Sequence, residues 1–158
     1  MKHICLLLLQ AAFIYTLAVY GCTVYQKPSP FHDVPFQERS QSKIDGDVRV
    51  TVAVLSAEES RQLFGVNLAG KNIQPVWVKV QNAGSGYYWL MSSGMDPDYF
   101  SPLEASYAFH NTIDSSVNNQ LDDHFRMMAF RNPIAPSTSV SGFIFTNRDE
   151  GIKVVDVD

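Results

Sequence analysis

The sequence is poor in cysteine: only Cys5 and Cys22 occur, both within the first 22 residues. Everything after them is closed to a disulfide framework and to any cysteine-ligated zinc site, so the fold must rest on apolar burial alone. Grouped positive charge is scarce as well, since Lys71 and Lys79 are the only basic residues between Arg61 and Arg126. Binding to a phosphate backbone needs clustered Lys and Arg, so no nucleic-acid partner is expected. The sequence also lacks the Gly-x-Ser-x-Gly elbow, the phosphate loop, the dinucleotide glycine motif and any internal repeat. What is present is ordinary for a globular chain. The 158 residues suit one domain plus an export segment, with 46% hydrophobic and 18% charged residues.

The apolar residues are uneven along the chain. Met1-Lys2-His3 is a short basic head, and residues 4–20 follow without a charge, with Gln10 and Thr16 as the clearly polar members. A positive head before an apolar stretch is the pattern of a secretory signal. The stretch falls slightly short of the ~20 residues a spanning helix needs. An uncleaved anchor and an ordinary secreted chain remain the alternatives.

Val19-Tyr20-Gly21-Cys22 resembles the lipobox of bacterial lipoproteins: an aliphatic residue, a variable one, a small one, then cysteine. The resemblance implies a signal peptide over 1–21, cut between Gly21 and Cys22, with diacylglycerol on the Cys22 thiol and an acyl chain such as palmitate on the new amino group. It makes the membrane a partner through lipid at Cys22. Thr23, in place of Asp, implies delivery to the outer membrane, facing the periplasm. Each buried methylene adds about 0.8 kcal/mol, so two or three chains anchor durably where one does not. Removing Lys2 with the signal takes the net charge from −4 to −5.

Residues 22–46 carry Pro28, Pro30 and Pro35 and the polar run Gln37-Glu38-Arg39-Ser40-Gln41-Ser42, with no helical or alternating period. They are expected as the lipidated N-terminus and a flexible tether, although apolar Phe31, Val34 and Phe36 offer places for part of it to pack. Residues 47–158 are expected to form a single β-rich domain. Val48, Val50, Val52 and Val54 alternate with Arg49, Thr51 and Ala53, and Val76, Val78 and Val80 with Trp77, Lys79 and Gln81, which predicts two strands. Between them, Ser56 with Glu59 is a capping box, and Gly65 is a stop, giving a helix over 57–64. Residues 87–91 and 103–109 are read as strands, with a turn over 82–86 between strands and a helical turn begun by Asp96-Pro97-Asp98. Ile113, Val117, Leu121, Phe125 and Met128 trace one face of an amphipathic helix, capped by Asn111 or Thr112 and ended by Asn132-Pro133. A strand over 140–145 and a hairpin to 152–157 complete the pattern. The sequence stops at Asp158 directly after that apolar run, which fits a terminal strand or a truncated chain. Strands outnumber helices without regular alternation. The expected fold is mainly β with inserted helices, an antiparallel, immunoglobulin-like β-sandwich decorated by one short and one longer amphipathic helix.

Several stretches stand out together: Val50-Thr51-Val52-Ala53-Val54-Leu55-Ser56, the Leu63-Phe64-Gly65-Val66 core of 59–68, residues 73–82, Asp96-Pro97-Asp98-Tyr99-Phe100-Ser101-Pro102-Leu103-Glu104, and Val140-Ser141-Gly142-Phe143-Ile144-Phe145-Thr146. They resemble uncharacterised bacterial envelope domains of the LssY C-terminal type, over most of 47–158. The resemblance implies an envelope-associated domain and carries over no catalytic residue.

Candidates for chemistry are few. Asp122-Asp123-His124, with His110, is the best ligand-like cluster, but adjacent helical residues diverge by ~100° and no metal-ligand spacing is matched. A solvated helix face is the expected reading, and no catalytic residue, metal site or cofactor is assigned. Asp96 and Asp98 are read as caps. Ser92-Ser93-Gly94 and residues 139–142 lack an assignable base. Tyr87, Tyr88, Trp89 and Tyr99 are the candidate binding surface, within an aromatic middle that includes Phe100 and Tyr107, because Tyr and Trp favour interfaces. The functional expectation is a non-catalytic binding or structural lipoprotein of the cell envelope meeting a protein or glycan. The alternatives are an accessory subunit of an envelope or secretion complex, and an envelope hydrolase built near Asp122 and His124.

Overall fold

The computed structural model describes residues 25–26, 28–92 and 98–148. The signal, Gly21, Cys22, Thr23, Asp96, Pro97 and the expected hairpin and strand over 149–157 lie outside the described residues.

Four strands make one antiparallel sheet in chain order: β1 (Gln41–Asp45), β2 (Val48–Val54), β3 (Ile73–Asn82) and β4 (Thr138–Asn147). The alternating valines of β2 and β3 fall on one face, with Val50 opposite Val80 and Val52 opposite Val78. The longer β3 joins β4 over its full length, from Ile73 opposite Asn147 to Asn82 opposite Thr138. An antiparallel sheet with helices is therefore present. Among the described residues there is one sheet, and helices and short coil segments cover it where a sandwich would place a second sheet.

Residues expected as tether belong to the domain. Two 3-10 turns, Phe31–Asp33 and Pro35–Arg39, lead into β1. Val34 and Phe36 are buried in the core. The β1–β2 connection is a two-residue turn, with Asp45 opposite Val48 and Gly46 at φ 52°, a left-handed conformation that suits glycine. All five β1 residues are exposed, so the strand shows no buried alternation.

Helix α1 (Ala57–Phe64) starts and stops where its sequence signals lie. The Ser56 hydroxyl accepts the Glu59 N–H, the Glu59 carboxylate accepts the Ser56 N–H, and Gly65 closes the helix at φ 72°. Helix α2 (Pro102–Tyr107) replaces the strand expected over 103–109. Ser101 and Glu104 form a second capping box and Pro102 sits in the first turn, where proline lacks only a donor that would be unpaired anyway. The Ser101 hydroxyl and N–H hold the Glu104 carboxyl below the usual carboxylate range. Helix α3 (Asn118–Met128) is shorter at its start than expected: a 3-10 turn, Ser115–Val117, precedes it, and Asp114 rather than Asn111 or Thr112 caps that turn.

One face of the sheet packs against the three helices through Phe36, Phe64, Phe125, Phe143 and Phe145. The Phe64 ring centroid lies 4.9 Å from that of Phe125, 5.3 Å from Phe143 and 5.4 Å from Phe145, spacings at which edge-to-face and tilted aromatic pairs attract. The opposite face carries Val50, Val76, Val78, Val80 and Ile144, and is covered by Ile134, Leu90 and Phe130. The outer edge of β4 is occupied: the N–H of Phe100 donates to the Phe145 carbonyl, and that of Phe130 to the Phe143 carbonyl, both at 2.8 Å.

The 3-10 turn before β1 is tied to α1 by an ion pair. Glu59 accepts Arg39 Nη1 at 2.8 Å and Nη2 at 2.7 Å. The Arg39 guanidinium first, and then the Ser56 N–H and hydroxyl, outweigh the opposing effect of burial and hold the Glu59 carboxyl at about 2, against 4.5 ordinarily. A depressed folded-state value adds stability that is fully present above 4.5 and is lost as pH falls towards 2. Because Arg39 is half exposed, solvent screening reduces the full shift to about 2 kcal/mol. Urea unfolding is expected to show that loss between pH 5 and pH 2, and a Glu59→Gln variant should lack this part of the slope. An identical slope in the variant would contradict it.

Candidate functional site

The acid–histidine cluster comes apart in three dimensions. Asp122 turns towards α2, where Ser106 Oγ donates to its Oδ1 at 2.6 Å and His110 Nε2 lies 2.9 Å from the same oxygen. His124, two residues on, points the other way, with Nε2 2.7 Å from the Leu63 carbonyl. Asp123 is exposed and pairs with Arg126 at 3.1 Å. Ser106, His110 and Asp122 thus meet, but with the carboxylate in the middle and no histidine beside the hydroxyl. The serine is wholly buried. A nucleophile needs its base within hydrogen-bond reach and an open path to substrate. This trio instead clamps α2 to α3. Among the described residues no three His, Cys, Asp or Glu side chains gather as metal ligands.

The aromatic residues after β3 form a defined ribbon. The N–H and carbonyl of Tyr88 exchange hydrogen bonds with Ile134, at 3.1 and 2.9 Å, and Leu90 does the same with the Asn132 side chain, at 2.9 and 3.0 Å. Residues 87–91 therefore pair with 132–134 and not with the main sheet, which corrects their reading as a further sheet strand. Asn82 fastens the base of the ribbon by donating to the carbonyls of Gly86 and Ala135. With the backbone held, Leu90 is the one side chain of 87–91 that is not exposed. Leu90 turns inward onto the valine face. Tyr87, Trp89 and Met91 turn outward, 59%, 58% and 66% exposed, and the Tyr87 and Trp89 ring centroids are 6.2 Å apart. Residues 83–92 contain no charged side chain.

Tyr88 is half exposed beside this strip. Tyr99 is not part of it. Its neighbour Phe100 is fixed to Phe145 of β4, whereas Tyr88 and Leu90 pair with Ile134 and Asn132. Met91, which extends the strip, was not among the residues singled out from sequence. Its place in an alternating run with Tyr87 and Trp89 was the available signal.

A second feature was invisible in the sequence. A cavity of about 360 Å³ opens between the Gly65–Lys71 stretch and the residues after α2, lined by Arg61, Lys71, Val66, Phe109 and Ile113 and closed on one side by Tyr25. Burial there pushes the Tyr25 phenol above its ordinary value. Gly65 allows the approach of the N-terminal segment, because a Cβ at that position would stand within 3.0 Å of Tyr25 Cε2 and collide with the Gln26 carbonyl. The Ser29 N–H donates to the Gln62 carbonyl at 2.7 Å and continues that contact along α1. This cavity adjoins the start of β3 and the ribbon follows its end.

Among the described residues no helix is long and apolar enough to cross a membrane. Compared with protein-family models, with curated proteins and with solved structures, the chain matches none of them.

Proposed function

We propose that the chain is a lipid-anchored, non-catalytic binding module of the bacterial cell envelope, held by acyl chains on Cys22 in the outer membrane and facing the periplasm. The observation that carries the binding role is the outward strip of Tyr87, Trp89 and Met91 on a backbone clamped by hydrogen bonds. Exposed aromatic side chains on an ordered segment lose little entropy on binding and dominate the energy of interfaces. The anchor sets the direction. Residues 22–24 span at most about 10 Å, and Tyr25 already packs against the core. The domain then sits close to the bilayer with its Tyr25 end nearest, and the ribbon is the surface it offers to a protein or glycan. The buried serine and central carboxylate of the Ser106–His110–Asp122 trio argue against the hydrolase alternative.

A photocrosslinking residue in place of Met91 tests this in whole cells. A discrete adduct is expected, and Tyr87→Ser with Trp89→Ser should weaken it at least about tenfold, as loss of two anchor residues would. Folding should change little, as at other exposed positions. Intact-mass analysis of the same chain is expected to show loss of 1–21 and gain of lipid, with Cys22→Ser left at full length. Absence of any adduct removes the binding role, and an unlipidated mass removes the anchor.

A further inference from the structure

We infer that the cavity beside Tyr25 binds the phosphate of an anionic phospholipid head group, with Lys71 and Arg61 as its cations. The cavity is large enough for a head group and glycerol, at about 360 Å³, within the range of natural small-ligand sites. Its charge is the opposite of the chain's. The mature sequence is net negative, yet among the described residues no Asp or Glu lines the cavity while Arg61 and Lys71 do.

Both cations are available. Among the described residues the Lys71 ammonium stands over the Phe109 ring, whose centroid lies 6.0 Å from Nζ. Arg61 pairs with Glu58 at 3.0 Å, but both partners are largely exposed and only three residues apart on α1. Such surface pairs are worth a fraction of a kcal/mol and give way to a better anion. The other walls mix apolar side chains with the polar Gln26, Asn67 and Thr112. Tyr25, Phe109, Ile113 and Val66 offer a surface for glycerol and the first methylenes of an acyl chain, which a free inorganic anion would leave unused.

Position supplies the ligand, and here the inference rests on the anchored reading above. Tyr25 lines the cavity three residues after Cys22, so the opening lies where head groups are most concentrated. A weak intrinsic affinity would suffice, because tethering keeps the local concentration high.

Native mass spectrometry of the full chain in dodecyl maltoside tests this with three probes: dioctanoyl phosphatidylglycerol, dioctanoyl phosphatidylcholine and inorganic phosphate. Phosphatidylglycerol is expected to remain bound at least about tenfold more than phosphatidylcholine, a difference of about 1.4 kcal/mol. Lys71→Gln and Arg61→Gln should each reduce that retention several-fold with the melting temperature unchanged, and Lys79→Gln, away from the cavity on β3, should not. Equal retention of the two lipids, or retention indifferent to Lys71, overturns the inference. Inorganic phosphate that competes fully and binds as tightly as the lipid overturns the lipid assignment in favour of a free anion. The covalent mass on Cys22 appears in the same spectra, so failure of the anchor and failure of the cavity are read separately.

Discussion

Phe36→Ala is expected to lower the free energy of unfolding by about 4 kcal/mol, the cost of emptying a well-packed aromatic site. Phe36 has no exposed surface, and its ring lies 5.4 Å from Phe31, 5.7 Å from Trp77 and 5.7 Å from Phe143. Truncation leaves a void between the N-terminal segment and the centre of the sheet. The surrounding rings cannot close it, because β3 and β4 fix Trp77 and Phe143 by a ten-residue ladder. Urea unfolding followed by tryptophan fluorescence measures the effect, with Trp77 reporting from beside the void. In a free tether the same substitution would cost less than about 0.5 kcal/mol. A change under 1 kcal/mol would show that residues 31–39 are not part of the folded unit.

Gly142→Val should cost 3 kcal/mol or slightly more, for the opposite reason: there is no room to add anything. A Cβ at Gly142 would lie 2.5 Å from Phe130 Cα, 2.6 Å from Phe130 N and 2.7 Å from Ala129 C. All three are backbone atoms, so no rotamer change relieves the collision. The crossing segment has to lift away from β4. Its hydrogen bond from the Phe130 N–H to the Phe143 carbonyl then breaks, and Phe130 withdraws from the valine face it helps cover. Gly86→Ala is the matched control, since nothing stands within 4 Å of the added atom, and its change should stay within about 0.5 kcal/mol. Comparable urea midpoints for the two variants would remove the steric argument.

The elements legible in the sequence were those with purely local causes. β2 and β3 announce themselves by valine alternation, and α1 by Ser56, Glu59 and Gly65. β1 was missed because none of its residues is buried, so there was no alternation to see. The Asp45-Gly46 dipeptide was its one available sign. Residues 103–109, read as a strand, alternate apolar and polar residues in part. The Ser101-Pro102-Leu103-Glu104 start signal overrides that pattern. Tyr87 to Met91 do adopt paired, extended backbone, but their partner lies some forty-five residues on and outside the sheet, a long-range choice that no local pattern encodes.

The candidate sites divide the same way. Tyr87, Tyr88 and Trp89 were visible because they are consecutive and aromatic. Tyr99 looked equivalent by composition, but its neighbour Phe100 pairs with β4 and not with the segment that holds the ribbon. Asp122 and His124 looked like a pair by proximity in sequence, yet two steps on a helix turn side chains about 200° apart. The cavity drew on residues 25–26, 61–71 and 109–113 at once, and such a grouping exists only after the chain has folded.

The two margins of the sheet are unequal. Phe100 and Phe130 already use carbonyls along β4, whereas β1 has a neighbour on one side alone among the described residues. Among the described residues β1 is therefore the more open margin for a foreign strand. Should two copies meet there, back to back across a two-fold axis, each would block the other's vacancy, and growth would halt at a pair without propagating into a fibre.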